Sequence, residues 1–186
     1  MTQRKKFFAY AMIVITSLLF AAIAPAIQVG ALSSSSLLLS DPRPGEAGVT
    51  YTFDSTGFAT GTPVRCIDVS LNSQSDDAGT NAATTTGFSL ESSTVITAGS
   101  WTADDSTNGV LRLTNAASEA PSANGNIVFS GITNDATEGV TYFGNFTSYT
   151  DVTCLGGTEV DQVTVAFVLK AGELVQLTID PTLVFT

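Results

Sequence analysis

The 186-residue chain has no histidine, and only two cysteines, two methionines and one tryptophan. Without histidine it can build no Ser-His-Asp triad, no Cys-His pair and no His-ligated zinc site. General acid–base work would fall to carboxylates alone. Basic residues are also scarce: seven Lys plus Arg stand against seventeen Asp plus Glu. Good helix formers such as Lys, Arg, Glu, Gln and Met are few and scattered, which removes most ways of making a helical domain. These absences lead to the expectation of a non-enzyme with no catalytic residue, no cofactor and no resident metal.

Three of the seven cations, Arg4, Lys5 and Lys6, crowd the N-terminus, and an apolar run follows from Phe7 to Ala24. Val29-Gly30-Ala31 then places small residues at the positions a leader peptidase reads. A basic n-region, an apolar h-region and an A-x-A-like site form a secretory signal peptide, residues 1–31, with the cut expected between Ala31 and Leu32. The alternative is an uncleaved membrane anchor, since the run of about 18 residues is near the lower limit for a span. In both cases the basic flank stays inside and the rest of the chain lies outside the cytoplasm. The membrane is then met only through this N-terminal segment. Beyond Ala31, Arg43, Arg65, Arg112 and Lys170 oppose all seventeen acids, a formal net charge of −13. Such a surface repels nucleic acid and anionic lipid, so no nucleic-acid partner is expected.

The 155 residues that remain suffice for one domain with a real core. They are rich in Thr, Ser, Gly, Asn and Val, the composition of strands and tight turns. Residues 32–48 read as an N-terminal linker. Within it Leu37–Leu39 is apolar, and Asp41-Pro42-Arg43-Pro44-Gly45 breaks regular structure. Residues 49–186 read as the β domain. Val49, Tyr51 and Phe53 alternate with Thr50 and Thr52, and Ile67, Val69 and Leu71 alternate with Cys66, Asp68 and Ser70. Residues 72–87 read as a long mobile or low-complexity loop. Strands are expected at 88–90, 94–97, 100–103, 110–114 and 127–132, with an Asn108-Gly109 hairpin and a polar connection over 115–126. Residues 139–150 carry aromatics on both faces, so this strand should be central. Residues 163–169 and 175–179 alternate as a final hairpin. The last residues, 183–186, read as the start of another strand, which implies a truncated C-terminus or a further domain. Seven to nine such strands predict an antiparallel β-sandwich, with a jelly roll or small barrel as the alternative.

Cys66 and Cys154 should form a disulfide in an oxidising compartment. Their placement predicts a peripheral staple between a strand and a loop, away from Trp101. Asp76-Asp77 and Asp104-Asp105 offer hard oxygen ligands for calcium. No EF-hand or RTX repeat accompanies them, and turn acids more often bond their own backbone. Asn145-Phe146-Thr147 matches a glycosylation sequon inside an expected strand, a chance match. Trp101 and Tyr142 read as core residues.

Ser40-Asp41-Pro42-Arg43-Pro44-Gly45, Tyr51-Thr52-Phe53, Arg65-Cys66-Ile67, Gly131-Ile132-Thr133-Asn134 and Tyr142-Phe143 together resemble a set of secreted immunoglobulin-like proteins. That set is encoded by reduced-genome bacteria of candidate phyla. The resemblance covers most of the chain after the leader and implies a cell-surface immunoglobulin-like β-sandwich, and it carries no catalytic residues. The family has Pro after the Thr-Asn pair, where Asp135 stands here. The expected function is an exported, non-enzymatic adhesion or envelope protein with a protein or glycan partner. A self-associating fibre or surface-layer subunit is the second reading, and a carboxylate-dependent glycan hydrolase the third.

Overall fold

The computed structural model describes residues 30–172. Residues 1–29 of the expected leader and the strand signals at 175–179 and 183–186 lie outside the described residues. Among the described residues eleven strands form, more than the seven to nine expected. They are β1 Gly30–Ala31, β2 Ser33–Leu39, β3 Val49–Thr56, β4 Val64–Asn72, β5 Ala83–Thr84, β6 Ser89–Ser93, β7 Thr102–Asp104, β8 Val110–Glu119, β9 Asn124–Asn134, β10 Thr141–Tyr149 and β11 Glu159–Val168. They assemble into two sheets. The six-stranded sheet runs β1-β11-β10-β4-β8-β7, and the five-stranded sheet runs β2-β3-β9-β5, with β6 also on β9. All pairings are antiparallel except that of β1 with β11.

Period-two alternation decides which faces meet. Val49, Tyr51 and Phe53 of β3 and Ile127, Phe129 and Ile132 of β9 face Ile67, Val69 and Leu71 of β4, Leu111 and Leu113 of β8, and Tyr142 and Phe146 of β10. All of them are essentially removed from water. At the centre the Phe53 and Phe146 rings stack 4.4 Å apart at 6°, joining the two sheets, and Phe58 meets Phe146 edge-on. β10 lies between β11 and β4, as its two-faced apolarity predicted.

Several segments differ from the sequence reading. Residues 32–48 are not a linker: Leu32 enters the core and β2 pairs with β3, because Leu37 and Leu39 pack inward. Residues 72–87 are hydrogen-bonded through most of their length. Ser73 N–H bonds the Thr80 carbonyl, Ala82 and Ala83 are buried, and Thr85 and Gly87 bond the turn that carries Asn108 and Asp105. No strand forms at 94–97, where the Ser93 hydroxyl accepts the N–H groups of Val95 and Ile96 and the chain enters a 3₁₀ turn at Ala98–Ser100. The expected connection over 115–126 shrinks to Ala120–Ala123, since β8 and β9 both run on as long polar strands. The Asn108-Gly109 turn forms as expected, with Gly109 at φ +81°, a conformation that a side chain disfavours.

Cys66 and Cys154 are bonded, with Cα atoms 5.4 Å apart. The link ties the outer face of β4 to the connection between β10 and β11, the expected staple. Reduction of the disulfide, or Cys66→Ala with Cys154→Ala, should lower unfolding free energy by at most about 4–5 kcal/mol in the chain-entropy model. Phe146→Ala should cost about 3–5 kcal/mol by removing the ring that joins the sheets. Urea unfolding followed by tryptophan fluorescence measures both.

Candidate functional site

Asp41–Gly45, Tyr51, Asn134 and Tyr142 meet at one pole of the sandwich, while Arg65-Cys66-Ile67 lies toward the other end of β4, paired with the end of β10. Asn134, at the end of β9 and buried, is the hub. Its Oδ1 accepts the Tyr51 hydroxyl at 2.7 Å, and its Nδ2 donates to the carbonyls of Asp41 at 2.9 Å and Arg43 at 2.8 Å. Its own N–H bonds the Glu46 carbonyl. Gly45, at φ +70° after Pro44, sends its N–H to the Asp135 carbonyl. The Pro-rich turn is thus moulded around an amide side chain. Burial raises the pKa of Tyr51, keeping its hydroxyl a neutral donor.

Asp135, the next residue, is bonded through both its backbone and its side chain. Its N–H bonds the Ala82 carbonyl at 2.8 Å, a bond proline lacks the hydrogen to make. Its Oδ2 accepts the Tyr142 hydroxyl at 2.6 Å and the Thr137 N–H at 3.0 Å. The Tyr142 and Thr137 bonds hold the Asp135 carboxyl below its usual range. Burial, followed by the bond to Asp135, pushes Tyr142 up to about 12. Arg43 pairs with Asp41 and Glu46 at the exposed rim. These motif residues hold backbone and each other, so their pattern marks a structural joint.

Several other acids are also engaged. Glu119 accepts the Trp101 indole N–H at 2.7 Å and both the N–H and hydroxyl of Thr97 at 2.8 Å. Burial opposes its charge, but those bonds prevail and its pKa is lowered. Trp101 is core, as expected, and sits against Glu119. Asp104 accepts the Ser106 N–H, Asp105 that of Gly87, and Asp76 that of Ala78. Asp77 accepts Asn145 Nδ2 at 2.5 Å. Of the Asp pairs weighed for calcium, Asp76 and Asp104 cap local turns, Asp105 ties its turn to Gly87, and Asp77 holds a loop to β10. Asn145 is buried and donates to Asp77 and the Ser75 carbonyl, while its Oδ1 accepts the Thr164 hydroxyl. Its amide nitrogen is committed, which removes the sequon as an acceptor in the folded chain.

The outer face of the six-stranded sheet gathers Arg112 and Thr114 of β8, Asp104 and Thr102 of β7, Asp68 and Ser70 of β4 and Tyr149 of β10. Arg112 holds Asp68 through two bonds, Nε to Oδ1 at 2.7 Å and NH2 to Oδ2 at 2.8 Å. Cys66, Asp68 and Cys154 are the one three-member cluster of metal-ligand types among the described residues, but both sulfurs are in the disulfide and Asp68 is paired. Sequence reading found the cysteines. It missed Asn134, Glu119 and the Arg112–Asp68 pair, whose partners lie far away along the chain.

No protein-family profile and no curated protein matches the chain. Among solved structures, a human F-spondin reeler domain superposes at TM-score 0.41 and 11% identity, covering 77% of this chain and 97% of that one. A cohesin module from a Clostridium perfringens family 33 glycoside hydrolase superposes at TM-score 0.40 and 12% identity, covering 73% and 95%.

Tyr51→Phe leaves the Asn134 amide oxygen without its donor and should cost about 1–3 kcal/mol in urea unfolding. Glu119 has a folded pKa below its ordinary value of 4.5, so its stabilisation is present above that value and fades as pH falls through the lowered one. Glu119→Gln should lower Tm at neutral pH and flatten the acid-side fall in Tm, as scanning calorimetry from pH 7 to 3 would register.

Proposed function

We propose that the protein is an exported, non-enzymatic β-sandwich of the cell surface or surroundings that acts by binding a protein or glycan partner. The observation that carries this reading is the Cys66–Cys154 disulfide, which belongs to an oxidising, extracytoplasmic setting. The signal-peptide pattern of residues 1–31 supports it independently. The use of the acids supports a non-catalytic role: Asp41, Asp68, Glu119 and Asp135 spend their oxygens on backbone, hydroxyl, indole and guanidinium groups.

The immunoglobulin-like assignment is part of the same proposal. The β2-β3-β9-β6 and β8-β4-β10-β11 pairings follow the ABED and C′CFG orders of that fold, and β1 runs parallel to β11 at the edge. The departure is in connectivity, since β5, β6 and β7 intervene between β4 and β8. In this proposal the contact surface is the outer face of β7, β8, β4 and β10, which carries Arg112 and Tyr149.

A second reading, self-assembly by strand addition, has one observation in its favour. Beyond Gln162, β11 has no partner strand on its outer edge among the described residues, and Val168 is 46% exposed. Such an edge is a template for another strand.

The exported protein, tested on arrays of glycans and on host and bacterial envelopes, should bind at least one surface, and Arg112→Ala with Tyr149→Ala should weaken that binding tenfold or more. The variant also lowers Tm by unpairing Asp68, so binding is compared at a temperature where circular dichroism shows it folded. Uniform absence of binding refutes the adhesive reading. Sedimentation separates the second reading: a strict monomer at high concentration refutes strand addition.

A further inference from the structure

Asp161 of β11 is completely buried, and among the described residues its charge has no balancing cation. Its oxygens share two donors, the Ala59 N–H at 3.2 and 3.3 Å and the Ser148 hydroxyl at 3.2 Å. No ion pair among the described residues includes it. Arg43 and Arg112 hold other acids, Arg65 reaches the Ala116 carbonyl, and Lys170 is exposed with its N–H on the Pro42 carbonyl. A carboxylate taken out of water without a cation is strongly disfavoured. Burial accordingly raises its pKa, against the pull of the two donors.

The backbone lying against Asp161 is that of β1. Gly30 is its partner in the parallel register, and a β-carbon on Gly30 would stand only 2.8 Å from Asp161 Oδ1. Two residues on, the Leu32 N–H faces the Gln162 carbonyl at 3.4 Å, and the Leu32 side chain is anchored in the core. The peptide bond just before that nitrogen, Ala31–Leu32, is where the leader pattern sets the cut. Hydrolysis there adds water across the bond: Ala31 leaves with a carboxylate, and the Leu32 nitrogen becomes an α-ammonium. The same cut removes Gly30, the group that occupies the space beside Asp161 Oδ1.

We propose that the α-ammonium of Leu32, created by leader removal, is the counter-ion of Asp161 and takes the place Gly30 holds in the uncut chain. Leader cleavage then completes the core electrostatically as well as releasing the protein. The inference rests on the exported reading above and deepens it, since it assigns a processing site and the group that receives its product.

The full chain is exported from a bacterial host and the released protein purified. Terminal sequencing should find Leu32 as the first residue. The α-amine, followed by NMR, should titrate at least one unit above the ordinary range of about 7.7–8.0, a tenfold shift in proton affinity. Selective acetylation of that amine should lower the urea midpoint of the native protein and leave that of Asp161→Asn unchanged. An ordinary α-amine pKa, or an equal loss in both backgrounds, overturns the ion pair while leaving the exported reading intact. A released protein that starts elsewhere overturns the assigned cut, and a chain kept inside the cell overturns export itself. The titration uses only the native protein, so the pairing is tested even where Asp161→Asn fails to fold.

Discussion

The contact between Phe53 and Phe146 is the interaction on which the remaining structure depends. β3 and β10 are inner strands of opposite sheets, and their stacked rings hold the two layers in one alignment. With that alignment, Ile67, Val69, Leu71, Leu111, Leu113, Ile127 and Phe129 close a dry interior around the pair. Aromatic pairs add specific geometry to area burial, so the stack selects a relative placement of the sheets as well as contributing stability. The pole built on Asn134 then has its components within reach, because the ends of β3, β9 and β10 are carried to the same place.

The polar part of the molecule follows from a scarcity of cations. Four basic side chains follow Ala31, and three of them bond acids or carbonyls at the sheet surface or rim. Buried acids and amides must be satisfied by neutral donors, hence the indole and threonine on Glu119, the tyrosine on Asp135 and the backbone N–H on Asp161. Hydrogen bonding to an ionised carboxylate is strong enough to offset burial at Glu119, where several good donors converge. At Asp161 only two donors reach the carboxylate, at 3.2–3.3 Å, and burial prevails. Most of the described acids are therefore tied into the fold by hydrogen bonds.

How far the fold was legible varies by element. β3, β4 and β11 were visible because each buries one face, so alternation reports directly on the tertiary environment. β10 was legible from its doubled apolarity. β2 was missed because Ser33–Ser36 is polar and the strand sits at an edge, where pairing is by backbone and hydroxyl groups. The extensions of β8 and β9 were missed for the same reason: Asn115–Glu119 and Asn124–Asn126 hydrogen-bond as strands without an apolar face. Thr94–Thr97 has strand composition, yet Ser93 captures two N–H groups locally and turns the chain.

Sequence alone determined the leader pattern, the acidic balance, the absence of histidine chemistry, the two-layered β class and the identity of the disulfide partners. Each is a property of composition or of short-range periodicity. Only tertiary structure decided that Asn134 gathers the Pro-rich turn, that Glu119 caps Trp101, that Asn145 is closed to modification and that Asp161 lies beside the start of the sandwich. Those outcomes depend on side chains between 13 and 102 positions apart meeting across sheets and loops. No local pattern encodes such meetings, because strand register and sheet order set them.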